Sequence, residues 1–526
     1  MKKLGDVMLN DPLRNPYPAA RAVTYASRGM VATSQHLAAQ AGLDILKKGG
    51  NAVDAAIATA AALTVVEPCS NGIGSDAFAI VWMNNKIYGL NSSGPAPMDI
   101  SLENVKSVGH DKMPTFGWTP VTVPGTPAAW ATLSKRFGKL PLLDCLQPAI
   151  DYAQDGFVIS PAVGMAWQRS AVIYKDFEHW QQTFGNVKIG QLKTLPDHAK
   201  TLAEIADTNA ESFYTGRLAE AIDAASRQQG GYLRVKDLEN YKPRWVNPIS
   251  VNYRGYDVWE IPPNGQGIVA LMALNILKHH NFESLNAETY HKQFEAIKMA
   301  FAVGKQEVTD PYYMKLSPAD LLAYAEKLDI LDEASDPVVK EPVKGGTVYL
   351  ATADDEGNMV SYIQSNYMGF GSGIVIPGTG IAMQNRGCDF SLDPNHVNRL
   401  EGGKRSYHTI IPGFLTKDDE AIGPFGVMGG YMQPQGHVQV IMNSIDFHLN
   451  PQAALDAPRW QWTSDKNFMV ESHFSTDIAR ELARKGHQMQ IALDSTSFGR
   501  GQIIWRDKDV LIGGTESRTD SAVVGW

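Results

Sequence analysis

Gly345, Gly346 and Thr347 stand at the head of a β-rich stretch, TVYLATA from Thr347 to Ala353. The turn signal DDEGN and a second β-rich run, MVSYIQS from Met359 to Ser365, follow it. A threonine hydroxyl is a weak nucleophile unless a base sits beside it, and a threonine that begins a chain carries its own base in its α-amine. That amine titrates at about 7.7 to 8.0, so a useful fraction is free base at neutral pH. To expose it, the Gly346–Thr347 peptide bond must break. The threonine hydroxyl can do this by attacking the Gly346 carbonyl and moving the upstream chain onto an ester that water hydrolyses. Two glycines ahead of the threonine permit the strained backbone this needs. The same three residues also read as an ordinary loop-to-strand junction, so the local pattern alone leaves both readings open.

Other common chemistries are missing from the sequence. There is no HExxH zinc motif, no GxxxxGK[ST] phosphate loop and no GxSxG nucleophile elbow. The glycine clusters GIGS (Gly72 to Ser75), GFGSG (Gly369 to Gly373) and GPFGVMGG (Gly423 to Gly430) lack dinucleotide-fingerprint spacing, and each taken singly reads as a tight turn. Three widely spaced cysteines, Cys69, Cys145 and Cys388, make neither a disulfide framework nor a CxxC metal pattern. No metal and no organic cofactor is expected.

The elements that must position Thr347 come in three textures. From Thr33 to about Asp155 the chain is rich in Ala and Gly. One helix pattern there ends at Gly49-Gly50, and a second begins after Asn51 and runs through the apolar stretch AAIATAAALTVV (Ala55 to Val66). From about Ser160 to Ile330 the pattern is mainly helical, as in QFEAIKMAFAVGKQE; beyond Gly345 it turns β-rich. Helix-rich and β-rich stretches together predict sheets covered by helices. With 47 basic and 56 acidic side chains among 526 residues, 44% apolar and 20% charged, the chain is expected to be globular and mildly acidic. Nothing concentrates Lys and Arg with aromatics for nucleic acid, and the longest apolar run is too short to span a bilayer. The N-terminal MKKLGDVMLNDPLRNPYP never develops a secretory apolar core, so a cytoplasmic location is the expectation.

Against this background the ordered motifs resemble the γ-glutamyltransferase (glutathione hydrolase) family of N-terminal-nucleophile hydrolases over nearly the whole chain. They include GMVATSQHLAAQAGLDILKKGGNAVDAAIA from Gly29, VVEPCSNGIG from Val65, VTVPGTPAAW from Val121, IPPNGQGIVALMALNIL from Ile261, GGTVYLATADDEGN from Gly345, MGG from Met428, NSIDFHLNPQAALDAPRW from Asn443 and SRTDSAVVGW from Ser517. The resemblance implies an α+β fold, a four-layer αββα sandwich. It also implies a precursor that cuts itself between Gly346 and Thr347 into a large chain, 1–346, and a small chain, 347–526, which together form one domain. Thr347 would then be the nucleophile, Ser365 the nearby hydroxyl that orients it, Gly429 and Gly430 the oxyanion-holding amides, and Asp389 the carboxylate that holds a substrate ammonium.

The departures from the family pattern fall on the substrate side. The stretch Asn91 to Pro97 lacks the Arg that grips the substrate α-carboxylate, and His408-Thr409 replaces a Ser-Ser pair that shares this task. Tyr367 stands where the family has an Asn near the α-amine, and Arg386 takes a neighbouring amide position. The segment from Phe390 to Lys404 is shorter than in members with a lid, which predicts an open pocket. Arg386 or Arg405 is expected to replace the missing carboxylate clamp. Three readings follow: a self-processing γ-glutamyl hydrolase/transferase with a glutathione-like donor and an amino acid, peptide or water acceptor; a cephalosporin-acylase-like glutaryl amidohydrolase; and a non-catalytic binding protein. In each the expected partners are a small-molecule ligand and the two chains of the precursor, not nucleic acid or membrane. Assembly of cleaved heterodimers into a homo-oligomer stays open.

Overall fold

The computed structural model describes residues 21–336 and 345–526. The N-terminal stretch on which the location was argued lies outside them. Two seven-stranded sheets form the centre. The first runs, in spatial order, Ala522–Gly525, Gly29–Thr33, Gly346–Asp354, Met359–Tyr367, Asp76–Met83, Lys86–Ser92 and Arg244–Val246. The second runs Thr24–Ala26, Val510–Thr515, Arg500–Asp507, Glu420–Met428, Gly413–Lys417, Tyr256–Glu260 and Ile249–Tyr253, and neighbouring strands in both sheets pair antiparallel. The four-layer αββα sandwich implied by the resemblance is therefore the observed fold.

Alternation along the strands builds the layers, because successive side chains of a strand point to opposite faces. Phe78, Ile80, Tyr349, Ala351 and Ile363 pack inward against Phe414, Met428 and Ile504 of the second sheet. Their neighbours Ala77, Ala79, Val348, Leu350 and Tyr362 face the helices of the outer layer. The second sheet has its own helical cover, including Gly267–Leu277, Ala287–Glu307 and Met432–Ile445.

Local signals set the helices that support the site. The helix Ala52–Val66 is buried along its whole length, and Asn51 caps it by accepting from Val53 and Asp54 backbone N–H groups at 2.9 and 3.1 Å. Asp54 returns the contact to the Asn51 N–H at 3.0 Å, a reciprocal cap worth about 1 kcal/mol. Gln364, one residue before Ser365, donates to the Ala60 carbonyl at 2.8 Å and so ties the strand Met359–Tyr367 to that helix. Four short strands, Leu192–Lys193, Arg244–Val246, Ile249–Tyr253 and Tyr256–Glu260, interrupt the region read as mainly helical. Among the described residues no helix is long and apolar enough to cross a membrane.

Candidate active site

Thr347 enters the ladder beside an irregularity. Gly346 pairs with Tyr367 and Val348 with Gln364, so the register slips between them and Thr347 has no partner directly across. A bulge of this kind re-aims a side chain. Thr347 is fully buried, and its Oγ1 lies 3.0 Å from Ser365 Oγ and 2.7 Å from the Gly346 carbonyl oxygen. Ser365 Oγ donates to that carbonyl at 2.7 Å and accepts the Tyr367 N–H at 2.8 Å. In the continuous chain, two hydroxyls therefore converge on the carbonyl of the bond that self-cleavage would break. One can attack the carbonyl carbon while the other polarises its oxygen.

Gly429 and Gly430 connect the strand Glu420–Met428 to the helix Met432–Ile445, with φ of +140° and +58° that suit glycine. Gln266 fixes this loop by donating to the Gly430 carbonyl at 2.9 Å and to the Thr409 carbonyl at 2.7 Å. A Cβ placed on Gly345 would meet Gly430 Cα at 3.2 Å, so the glycine pair sits against the segment that leads into Thr347. Backbone N–H groups at a helix N-terminus favour negative charge, which is what a tetrahedral oxyanion brings. A cavity of about 170 Å³ is lined by Gly345, Gly346, Gly429, Cys69 and Arg500 among others. At its wall Arg500 pairs with the buried Glu67 at 3.1 Å, and Ser34 donates to the other Glu67 oxygen at 2.5 Å. Burial raises the Glu67 carboxyl above its usual range.

The residues expected on the substrate side form a second group. Arg386, 1% exposed, donates from Nη1 to Thr409 Oγ1 at 2.9 Å and reaches Asp389 Oδ2 at 3.4 Å, and its guanidinium lies 3.8 Å over the Tyr367 ring. The other oxygen of Asp389 accepts from the Tyr367 hydroxyl at 2.9 Å and from the Tyr431 hydroxyl at 3.2 Å. Burial and the adjacent Asp389 hold both phenols far above their ordinary range, so they remain donors. Tyr367 has φ of +76°, a left-handed conformation costly for a bulky residue, and the contacts at both its ends keep it there.

His408 and Arg405 lie outside this group. His408 Nε2 faces Asp76 Oδ2 at 3.0 Å and its Nδ1 takes the Ile410 N–H at 3.4 Å, so both ring nitrogens are engaged. Burial pushes the Asp76 carboxyl up to about 7 and the His408 imidazole well down. Asp76 is the cross-strand partner of Ser365, which makes the pair a support beneath the Ser365 strand. Arg405 donates from Nε to the Ser93 carbonyl at 2.9 Å. The expected open pocket is not what the continuous chain has: Thr347, Arg386, Tyr367, His408 and Thr409 are all buried, with Gly345 resting against the Tyr367 ring.

Lys305 and Tyr431 escaped the sequence reading. Lys305 Nζ contacts the Tyr431 hydroxyl and lies over the rings of Tyr431 and Tyr407 at 3.7 and 4.4 Å. Burial lowers its ammonium to about 8. Tyr431 follows the glycine pair directly, which was a usable signal; nothing local marks Lys305 as buried. Among the described residues one cluster, His291, Glu295 and His487, brings metal-ligating groups together, but the Lys298 ammonium already sits 2.5 Å from Glu295. Cys69 and Cys145 are buried and Cys388 half-buried, all three as free thiols.

The family described as Gamma-glutamyltranspeptidase matches residues 38–526. Among curated proteins, the Glutathione hydrolase-like YwrD proenzyme of Bacillus subtilis is 34% identical over 95% of this chain and 98% of its own length. The Oxamate amidohydrolase proenzyme of Klebsiella pneumoniae is 32% identical over 95% and 99%. Among solved structures, the cephalosporin acylase from Bacillus halodurans superposes with a TM-score of 0.94 at 58% identity, covering 98% of this chain and 99% of that one. With the fold, the strand-leading Thr347 and matches that span nearly the whole chain, this protein belongs to the γ-glutamyltranspeptidase family of N-terminal-nucleophile hydrolases.

Proposed function

We propose that the protein cuts itself between Gly346 and Thr347, leaving chains 1–346 and 347–526 in one folded unit, and then works as an acylase-type amidohydrolase. The observation that carries this is the convergence of Thr347 Oγ1 and Ser365 Oγ on the Gly346 carbonyl, within 3.0 Å of one another. After cleavage the Thr347 amine takes the hydroxyl proton, Oγ1 attacks the substrate amide carbon, and the Gly429 and Gly430 N–H groups hold the oxyanion. The same amine returns the proton to the leaving amine, and water, or a second amine in the transfer variant, releases the acyl group from its ester.

For the acyl group, a glutaryl-like chain without an α-ammonium is the better supported reading. Asp389 already accepts two phenol hydroxyls and faces Arg386, so it has little call for an ammonium, and the cephalosporin acylase relative points the same way. The γ-glutamyl reading is second. It rests on the place of Asp389 beside Tyr367, where a substrate ammonium would have to displace a hydroxyl or the guanidinium.

The first experiment is the intact mass of denatured wild type and of Thr347→Ala, followed by turnover of glutaryl and γ-glutamyl anilides. Two chains in the wild type, one in the variant, and faster release from the glutaryl anilide are expected. A wild type that stays whole after long incubation would defeat the self-cleaving reading, and a clear preference for the γ-glutamyl anilide would move the acyl assignment to the second reading.

A further inference from the structure

Arg386 is the most buried charged group near Thr347 with donors left over. Its Nη1 serves Thr409 and Asp389, while Nε and Nη2 have no hydrogen-bond partner at 1% exposure. Those two nitrogens form one edge of the guanidinium, and their N–H bonds run parallel, the arrangement that fits both oxygens of a single carboxylate. A buried guanidinium normally fills such an edge, because unmet charged donors are expensive away from water.

The charges around this edge favour an anion. Arg386 and Lys305 are the cations and Asp389 the one carboxylate in contact with their group, since Lys305 reaches Asp389 through the Tyr431 hydroxyl. Behind them His408 faces Asp76 at 3.0 Å, and Arg405 is engaged with Ser93. A substrate ammonium at the free edge would face a like charge; a carboxylate would complete the pairing.

Reach is set by Tyr367. Its backbone lies across from Gly346 in the ladder and its ring lies under the guanidinium, so one residue links the strand-leading segment to Arg386. A Cβ on Gly345 would meet that ring at 3.4 Å, so the strand-leading segment rests on the same platform.

We propose that the Nε and Nη2 edge of Arg386 is the seat for the terminal carboxylate of the acyl group, uncovered when cleavage frees the Gly345–Gly346 segment. The enzyme thereby selects amides of short dicarboxylic acids with no α-ammonium. This rests on the amidohydrolase reading above and names the residue that sets its acyl specificity.

The test compares glutaryl and butanoyl anilides, which differ in the terminal carboxylate, on wild type, Arg386→Gln and Arg386→Lys, with self-cleavage by mass as the check on folding. Arg386→Gln should lose about 10- to 100-fold in kcat/KM on the glutaryl anilide, mostly through KM, and stay within a few-fold on the butanoyl anilide. Arg386→Lys, which keeps the charge but not the fork, should fall between. Equal losses on both anilides, or none on either, would overturn the proposal. Glutarate binding to the cleaved proteins by calorimetry reads the seat without turnover. Binding to wild type and not to Arg386→Gln supports it even if no anilide is cleaved, in which case only the amidohydrolase reading has failed. Equal binding to both, or to neither, removes the seat, as does unweakened binding to uncut Thr347→Ala, which would remove the uncovering step.

Discussion

Two halves of the site are held in different ways. Thr347, Ser365, Gly429 and Gly430 take their places from backbone: a register slip in a central ladder, a strand tied to the helix beneath it, and a glycine turn into a helix. Tyr367, Arg386, Asp389, Tyr431 and Lys305 are held by one another through side chains, with a strained tyrosine at the centre. Geometry fixed by a ladder is hard to alter without losing the fold. A mesh of side chains can be rewritten residue by residue while the bond-making half stays in place. That difference fits the expectation from the resemblance that the departures from the family pattern fall on the acyl side.

The comparison can be broken first at Thr347. Thr347→Ala should abolish both cleavage and turnover while leaving the uncut chain folded, because it removes the only attacking oxygen; mass and circular dichroism together check this. Thr347→Ser should retain both at a reduced rate. Ser365→Ala, which removes the hydroxyl on the Gly346 carbonyl but not the attacker, should slow self-cleavage by about 100- to 1,000-fold, in the range of general acid–base and oxyanion contributions. A Ser365→Ala protein that cleaves at the wild-type rate would show that the carbonyl needs no polarisation from that side.

Within the side-chain mesh the effects should be smaller and selective. Asp389→Asn keeps both tyrosine contacts in part but removes the charge opposite Arg386. Turnover of a glutaryl anilide should stay within a few-fold of wild type, and any γ-glutamyl turnover should drop by about 10-fold. If both drop together, Asp389 acts by holding the mesh and not by choosing the substrate.

The smallest expected effect is a pH trend in stability. Lys305 titrates at about 8 in the folded protein and near its ordinary lysine value when unfolded. Between those values the unfolded chain binds more protons, so the contribution of this group to stability rises with pH over that window and is flat below it. Denaturant midpoints of wild type relative to Lys305→Met should therefore climb from about pH 8 upward. A difference that does not move with pH would mean that Lys305 is not held in a desolvated state.

Much of the bond-making half was legible because its signals are local. The Gly-Gly-Thr lead, the DDEGN turn and the two β-rich runs mark the hairpin, and Gly49-Gly50 with Asn51 mark the end of one helix and the start of the next. The acyl side depends on meetings between distant segments. Lys305 meets a tyrosine 126 positions away, and His408 turns to Asp76, 332 positions away, which no pattern near His408 foretells. The three strands between Arg244 and Glu260 were missed for a related reason: short strands draw their definition from the neighbours they pair with. The closure of the site in the continuous chain was not legible from the short Phe390 to Lys404 segment, because it comes from packed side chains and the segment leading into Thr347.

The order of strands in the first sheet has a kinetic meaning. Gly29–Thr33 lies between Ala522–Gly525 and Gly346–Asp354, so a strand from before the cut is gripped on both edges by strands from after it. Before cleavage this arrangement can be reached by a single chain folding on itself. Afterwards, two unfolded pieces would have to find each other, and recovery would depend on concentration and compete with aggregation. Cutting the one bond would thus turn a reversible object into one that is assembled once. Its working lifetime would be set by how slowly it first opens, not by how well it can refold.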